Sequence, residues 1–224
     1  ELIKKINLCV ANSVYLANYC KQYNPNSFYV GQGCDFELFK NDDSVKVPES
    51  LNAIKKPILG YVGALLAIRL DEGILLHLAQ QKPAWSIVLV GPEDDDFKNS
   101  KLHEMENVHF LGPQKPETLP AYIKGFDICL NPQALNPLTI GNYPRKIDEY
   151  LAMGKPTLAT RTEAVGIFED YVYLAETKEE YVSLAEKALA ENSETLANER
   201  IAFAKTHTWE KNAEEIYKAI QTVE

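Results

Sequence analysis

The most constraining feature of this chain is a repeated ending. Three apolar runs, "WSIVLVGP" (85–92), "NVHFLGP" (107–113) and "FDICLNP" (126–132), each stop at a Gly-Pro or Asn-Pro step. "PILGYVGAL" (57–65) ends similarly, in glycines, and "KPTLAT" (155–160) and "YVYLA" (171–175) are further short runs. Between them lie amphipathic stretches such as "DEGILLHLAQQKP" (71–83) and "ETLPAYIKG" (117–125), and helical patterns fill 178–191 and 194–223. Strands that alternate with helices predict a parallel sheet with crossover helices. Runs that are apolar throughout predict strands covered on both faces. The expected fold is therefore α/β, a Rossmann-like parallel sheet with helices on both faces. Upstream, "NLCVANS" (7–13), "VYLANYCKQY" (14–23) and "SFYVGQG" (27–33) read as strand, helix and strand, and the polar segment 40–57 reads as a linker.

Bulk properties narrow the partners. The net charge of −9 over 224 residues excludes a broad basic face for nucleic acid, though not a local cationic pocket. Cys9, Cys20, Cys34 and Cys129 are scattered, which fits idle thiols in a reducing cytoplasm better than disulfides or zinc. His77, His103, His109 and His207 are dispersed too, so no metal site is expected. No stretch approaches the ~20 apolar residues of a membrane span. With no initiating Met and no signal peptide, the chain reads as a cytoplasmic piece of something longer.

Ligands of doubly wound sheets sit beyond the carboxyl ends of the strands. The residues there are Gly60 and Gly63, Gly91-Pro92, Gly112-Pro113 and Asn131-Pro132. Singly, each is more readily a strand terminator than a place where a ligand approaches backbone N–H groups. Together they suggest a binding rim, although "GYVGAL" lacks the full G-x-G-x-x-G pattern.

The run "PRKIDEYLAMGKPTLAT" (144–160) is more specific. Pro144 suits the first position of a helix, with Asn142 or Tyr143 as its cap. At ~100° per residue, Ile147, Tyr150, Leu151 and Gly154 share a face that would pack on the sheet. Arg145, Lys146 and Glu149 lie on another. Cations in a first helical turn oppose the helix dipole unless an anion such as phosphate sits there. Glu149, a turn further in, has two acceptor oxygens suited to a vicinal diol. The alternative is a plain surface ion pair, Arg145–Glu149, at i, i+4. The long loop "NPQALNPLTIGNY" (131–143) leading into this helix favours the ligand.

Residues 107–160 resemble the nucleotide-sugar-binding half of GT-B retaining glycosyltransferases of the group 1 type. The match runs through "NVHFLGP", "LPAYIKG", "FDICLNP" and "K-x-x-E-Y-x-A-x-G-K-P". It is nearest the branch assigned to teichuronic acid and capsule polysaccharide synthesis. "GYVGAL" is similar to that family's first strand and phosphate loop, "VGQGCDFELF" (30–39) to its interdomain stretch, and "THTWEKNAEEIYKAI" (206–220) to its terminal crossover helix.

The resemblance implies a division into residues 1–45, a remnant of an acceptor domain and linker; 46–205, the donor-binding domain; and 206–224, the crossover helix. It implies that Glu149 holds the ribose hydroxyls and that Lys146 contacts the diphosphate above Gly63 and Ala64. The base would sit at Leu111, Gly112 and Pro113, and Arg145, Asn142 and Tyr143 would stand alongside. Two departures stand out. Many members carry a second acid eight positions before the ribose glutamate, where this chain has Gly141. The usual phosphate cations near the first strand are also missing: Glu72 precedes Gly73, leaving Arg69 as a substitute.

The implied activity is transfer of a hexose-type sugar from a nucleoside diphosphate, UDP by expectation, to a polysaccharide or lipid-linked glycan. Retention of configuration is implied by the family. No cofactor beyond the donor substrate and no metal are expected, and the resemblance assigns no catalytic base in this chain. The implied site is the inner face of a membrane, through peripheral association of a full-length parent, and the piece alone is expected to be inactive. Two other readings are a nucleotide-sugar epimerase of the same fold and a binding or assembly module without turnover.

Overall fold

The structure, a computed structural model, describes residues 1–42 and 44–223. A small parallel pair comes first: β1 (Cys9–Ala11), α1 (Val14–Lys21) and β2 (Ser27–Tyr29). After the short helix α2 (Glu49–Asn52) come β3 (Ile58–Val62), α3 (Glu72–Gln81), β4 (Ser86–Val90), the short α4 (Asp95–Lys98) and β5 (Val108–Phe110). The second half holds α5 (Leu119–Gly125), β6 (Ile128–Asn131), α6 (Arg145–Ala152), β7 (Thr157–Thr160) and β8 (Tyr173–Ala175). Helices α7 (Lys178–Glu191), α8 (Glu194–Ala204) and α9 (Trp209–Val223) complete the chain.

Strands β3 to β8 form one all-parallel sheet in the order β5-β4-β3-β6-β7-β8. The expected α/β class is observed, and the reason is visible in burial. Every residue of β3, β4, β6 and β7 is buried. Alternate side chains feed two cores. Val62, Val88, Val90 and Cys129 pack with Ile123, Phe126, Tyr150 and Leu151 on one face. Leu59, Ile87, Leu89 and Leu130 pack with Leu75, Leu78 and Tyr181 on the other. Strand order reverses between β3 and β6, which opens a crevice at their carboxyl ends.

Three expectations need correction. Pro144 is the N-cap of α6 rather than its first residue, because its ψ of 81° is not helical, and no side chain caps the helix. The pattern over 194–223 is two helices, α8 and α9, separated by residues 205–208. There the Thr206 hydroxyl donates to the Phe203 carbonyl (2.7 Å) and Thr208 Oγ1 accepts from Lys211 N–H (3.4 Å), so one helix ends and the next begins. The segment 40–57 carries α2, whose Leu51 is buried against the core; its residue 43, like residue 224 of the crossover segment, lies outside the described residues.

The small β1–α1–β2 unit is stitched to the rest by hydrogen bonds. Ser13 Oγ donates to the Gly141 carbonyl (2.7 Å), and Asn212 Nδ2 donates to the carbonyls of Val30 (2.9 Å) and Gly31 (3.0 Å). Among the described residues no helix is long and apolar enough to cross a membrane.

Candidate functional site

A cavity of about 520 Å³ opens at the carboxyl edge of the sheet, beside the β3/β6 reversal. Its floor is Val62 and Gly63, at the end of β3. One wall is the start of α6, with Asn142, Tyr143, Pro144, Arg145, Lys146 and Glu149. Arg69 faces it from the loop after β3, and Pro116 and Leu119 from the segment after β5. The remaining wall is Gln32, Asp35, Leu38 and Phe39 of the segment after β2, with Trp209 from α9.

The loop after β3 runs close against the loop after β4 because two glycines permit it. A Cβ on Gly91 would stand 1.9 Å from the Gly63 carbonyl oxygen, so the loops after β3 and β4 run in backbone contact. Leu65 N–H donates to the Pro92 carbonyl (2.8 Å) and Asp94 N–H to the Leu65 carbonyl (3.0 Å), which locks that approach. Gly63, at φ +140°, also leaves room for Lys146: a Cβ there would come within 3.1 Å of Lys146 Cε. The Lys146 ammonium lies 5.1 Å above the Tyr61 ring. That contact is a cation–π arrangement that holds the ammonium over the loop.

Helix α6 is fixed to the sheet by Tyr150, which is fully buried and whose hydroxyl accepts a hydrogen bond from Val62 N–H (3.0 Å). Ile147 and Leu151 are buried with it, as the face reading expects, and Gly154 is buried beyond the helix end at φ +70°. On the cavity side Arg145 Nε meets Glu149 Oε1 at 3.0 Å, so the ion pair exists. The pair is buried at one end only: the Glu149 side chain is 12% exposed, against 54% for Arg145. Burial pushes the Glu149 carboxyl up from its ordinary range, while Arg145 and Lys146 pull it down. Among the described residues neither Arg69 nor Lys146 is paired with a carboxylate.

Seven of the residues singled out from sequence therefore meet in one cavity: Gly63, Arg69, Asn142, Tyr143, Arg145, Lys146 and Glu149. Ala64, Leu111, Gly112 and Pro113 do not line it. Ala64 follows the floor and takes a hydrogen bond from the Tyr61 hydroxyl (3.3 Å). Leu111 packs against the core, and Gly112, at φ +64°, turns the chain toward Pro116 and Leu119, which do reach the cavity. Residues that sequence reasoning passes over are Gln32, Asp35 and Trp209. The "VGQGCDFELF" and "THTW" stretches point to those segments without saying that their side chains turn inward.

Asp148 is the largest omission. It is completely buried between two donors, with the Tyr143 hydroxyl 2.7 Å from Oδ2 and His207 Nδ1 2.9 Å from Oδ1. Burial raises its carboxyl above the usual range, opposed by the hydrogen bonds from His207 and Tyr143. At Gly141, where the resemblance expects an acid in many members, a Cβ would come within 2.4 Å of the Tyr15 ring, so a side chain there would require that ring to shift.

Comparison with known proteins places this chain in a family. Residues 56–199 match the model for glycosyl transferases group 1. Over 187 residues the chain is 29% identical to TuaH of Bacillus subtilis (strain 168), a protein assigned to teichuronic acid biosynthesis as a glycosyltransferase. That match covers 80% of this chain but 47% of the relative, so the chain spans about half the relative's length. Among solved structures, Anabaena Alr3699/HepE in complex with UDP superposes with a TM-score of 0.82 at 18% identity, over 96% of this chain and 64% of that one. Sucrose-phosphate synthase from Thermosynechococcus elongatus gives 0.79 at 18% identity, over 99% and 59%. The structural likenesses establish the shared fold, and the family model covers well over half of the chain, which thus belongs to the glycosyl transferases group 1 family.

Proposed function

We propose that this chain is the donor-binding part of a glycosyltransferase that moves a sugar from a nucleoside diphosphate sugar, with UDP as the nucleotide, to a polysaccharide or lipid-linked glycan. The observation that carries this reading is the mouth of α6. The uncapped start of α6, the cations Lys146 and Arg69, neither of them paired with a carboxylate among the described residues, and the buried acid Glu149 all face one cavity beside the sheet's reversal point. Helix N-termini and ammonium or guanidinium groups suit a diphosphate. A carboxylate one turn further in suits a pair of ribose hydroxyls, and forming those bonds would replace part of its pairing with Arg145.

In this reading Lys146 and the backbone at Gly63 and Ala64 take the diphosphate, Arg69 and Arg145 add charge, and Glu149 takes the ribose. Leu111, Gly112 and Pro113 lie on the base side, next to Pro116 and Leu119. Leaving-group departure builds charge on the diphosphate, and groups already fixed around it lower the barrier without reorganising. The acceptor is handled by the half of the relatives that this chain does not span. The complexes of Alr3699/HepE with UDP and with UDP-glucose support the nucleotide, and the similarity to TuaH supports a polysaccharide acceptor.

The test is calorimetry of the chain with UDP, beside Lys146→Ala and Glu149→Ala. Each substitution removes a charge-assisted contact, so affinity should fall by about 10- to 100-fold. No binding by the unaltered chain at millimolar UDP refutes the donor-site reading. Equal binding by both variants refutes the residue assignment.

A further inference from the structure

We propose that Asp148 is a positioning residue for the donor cavity, tying three separate segments of its wall together without touching the donor. The inference rests on the donor-binding reading and adds a residue to which that reading gives no role.

The observation is a convergence. Asp148 lies in α6 between Lys146 and Glu149 yet points away from the cavity into full burial. One carboxylate oxygen accepts from the hydroxyl of Tyr143, whose residue lines the cavity just ahead of Arg145 and Lys146. The other faces His207 Nδ1, in the break between α8 and α9. The carbonyl of that same His207 accepts from Cys34 N–H (2.9 Å), and Cys34 forms a β-bridge with Thr208. On either side of these contacts, Gln32, Asp35 and Trp209 line the cavity. The linker, the crossover segment and the donor helix thus meet through one side chain.

Packing alone does not ask for an acid at this point. Removing a carboxylate from water is costly, and an apolar side chain would fill the space. What an acid adds is direction, because each oxygen takes its own donor along a defined line. Both partners arrive pre-oriented. The His207 ring packs edge-on against Phe203 (centroids 4.5 Å apart, 77°), and the Tyr143 ring packs edge-on against Phe168 (5.6 Å, 60°). A donor that bridges Lys146, Glu149 and the opposite wall would therefore bind a cavity whose width Asp148 has already set.

The experiment is UDP calorimetry at a temperature where circular dichroism shows every variant folded. Asp148→Asn, Tyr143→Phe and His207→Phe should each weaken UDP by about five- to tenfold. His207→Asn, which keeps a donor at the Nδ1 position, should bind UDP within twofold of the unaltered chain. His207→Phe preserves ring packing, so a purely structural role would leave it close to the unaltered chain and would not favour Asn. Asp148→Asn combined with Tyr143→Phe should be no weaker than the weaker single variant. If Asp148→Asn does not fold, the Tyr143 and His207 variants carry the same test. Unchanged affinity in the three weakening variants, with Lys146→Ala still impaired, overturns the role of Asp148 and leaves the donor site standing. Failure of the unaltered chain to bind UDP overturns both.

Discussion

Helices α3 and α6 begin at equivalent places, beyond the carboxyl ends of the two central strands, and they begin in opposite ways. At α3, Asp71 is the N-cap and accepts from Ile74 N–H (3.3 Å), while Glu72 accepts from the Ser100 hydroxyl (2.7 Å). That helix meets its own dipole with acids. At α6 the cap is Pro144, no side chain accepts from the helix, and Arg145 and Lys146 occupy the first two positions, while the acid of that first turn, Asp148, is turned inward to Tyr143 and His207. A missing cap forgoes about 1 kcal/mol and a cation in the first turn costs a few tenths more. Both signs reverse once an anion is bound. One helix start is closed for stability and the other is held open, and breaches of local rules of this kind are where functional sites are expected.

Substitutions can break or sharpen that contrast. The largest effect is expected from Gly91→Ala. Its new methyl would meet the Gly63 carbonyl, so the loops after β3 and β4 must part. Overpacking of this kind costs about 1–3 kcal/mol or more, readable as a lower urea midpoint, and UDP binding should be lost as the loop after β3 is displaced. Tyr150→Phe comes next. It strands the buried Val62 N–H that now donates to the phenol oxygen, with an expected loss of about 1–3 kcal/mol. The helix would then seat loosely, and UDP affinity should fall with stability.

Glu149→Gln should separate the two quantities. Burial raises this carboxyl in the folded state, so folding favours its protonated form. The stability contributed by that preference is full below the unfolded value of 4.5 and is lost as pH rises through the higher folded value. At neutral pH the ionised acid therefore burdens the fold, and the glutamine variant should melt higher than the unaltered chain. The gap should close on acidification, while UDP binding at neutral pH is about tenfold weaker. The smallest effect belongs to Asp71→Ala, which removes the α3 cap at a cost of about 1 kcal/mol and should leave UDP affinity unchanged.

Much of the sheet is legible in the sequence because its strands are buried on both faces and so appear as unbroken apolar runs. The cations of α6 are legible because they offend a local rule that sequence alone can check. Asp148 is not. Its partner His207 is 59 residues away, and α6 is enclosed on nearly every side from Ile147 to Ala152, whereas helical periodicity supposes one wet face. The Pro144 cap is misread for a different reason. Proline's fixed φ serves equally at the cap and at the first turn, and only ψ, set by the loop before it, decides. Gln32, Asp35 and Trp209 are hidden in turn, since their inward aim depends on how the small β1–α1–β2 unit docks.

The most direct test of the account exchanges the two helix starts. Pro144→Asp with Lys146→Glu gives α6 the acidic opening of α3, and thermal unfolding is followed with and without UDP. For the unaltered chain and for Asp71→Ala, the melting temperature should climb with the logarithm of UDP concentration, as linkage requires. The exchanged variant should fold, and its melting temperature should not move with UDP. An equal UDP-dependent rise in the exchanged variant would contradict the claim that the open, cationic start of α6 is the donor's phosphate site.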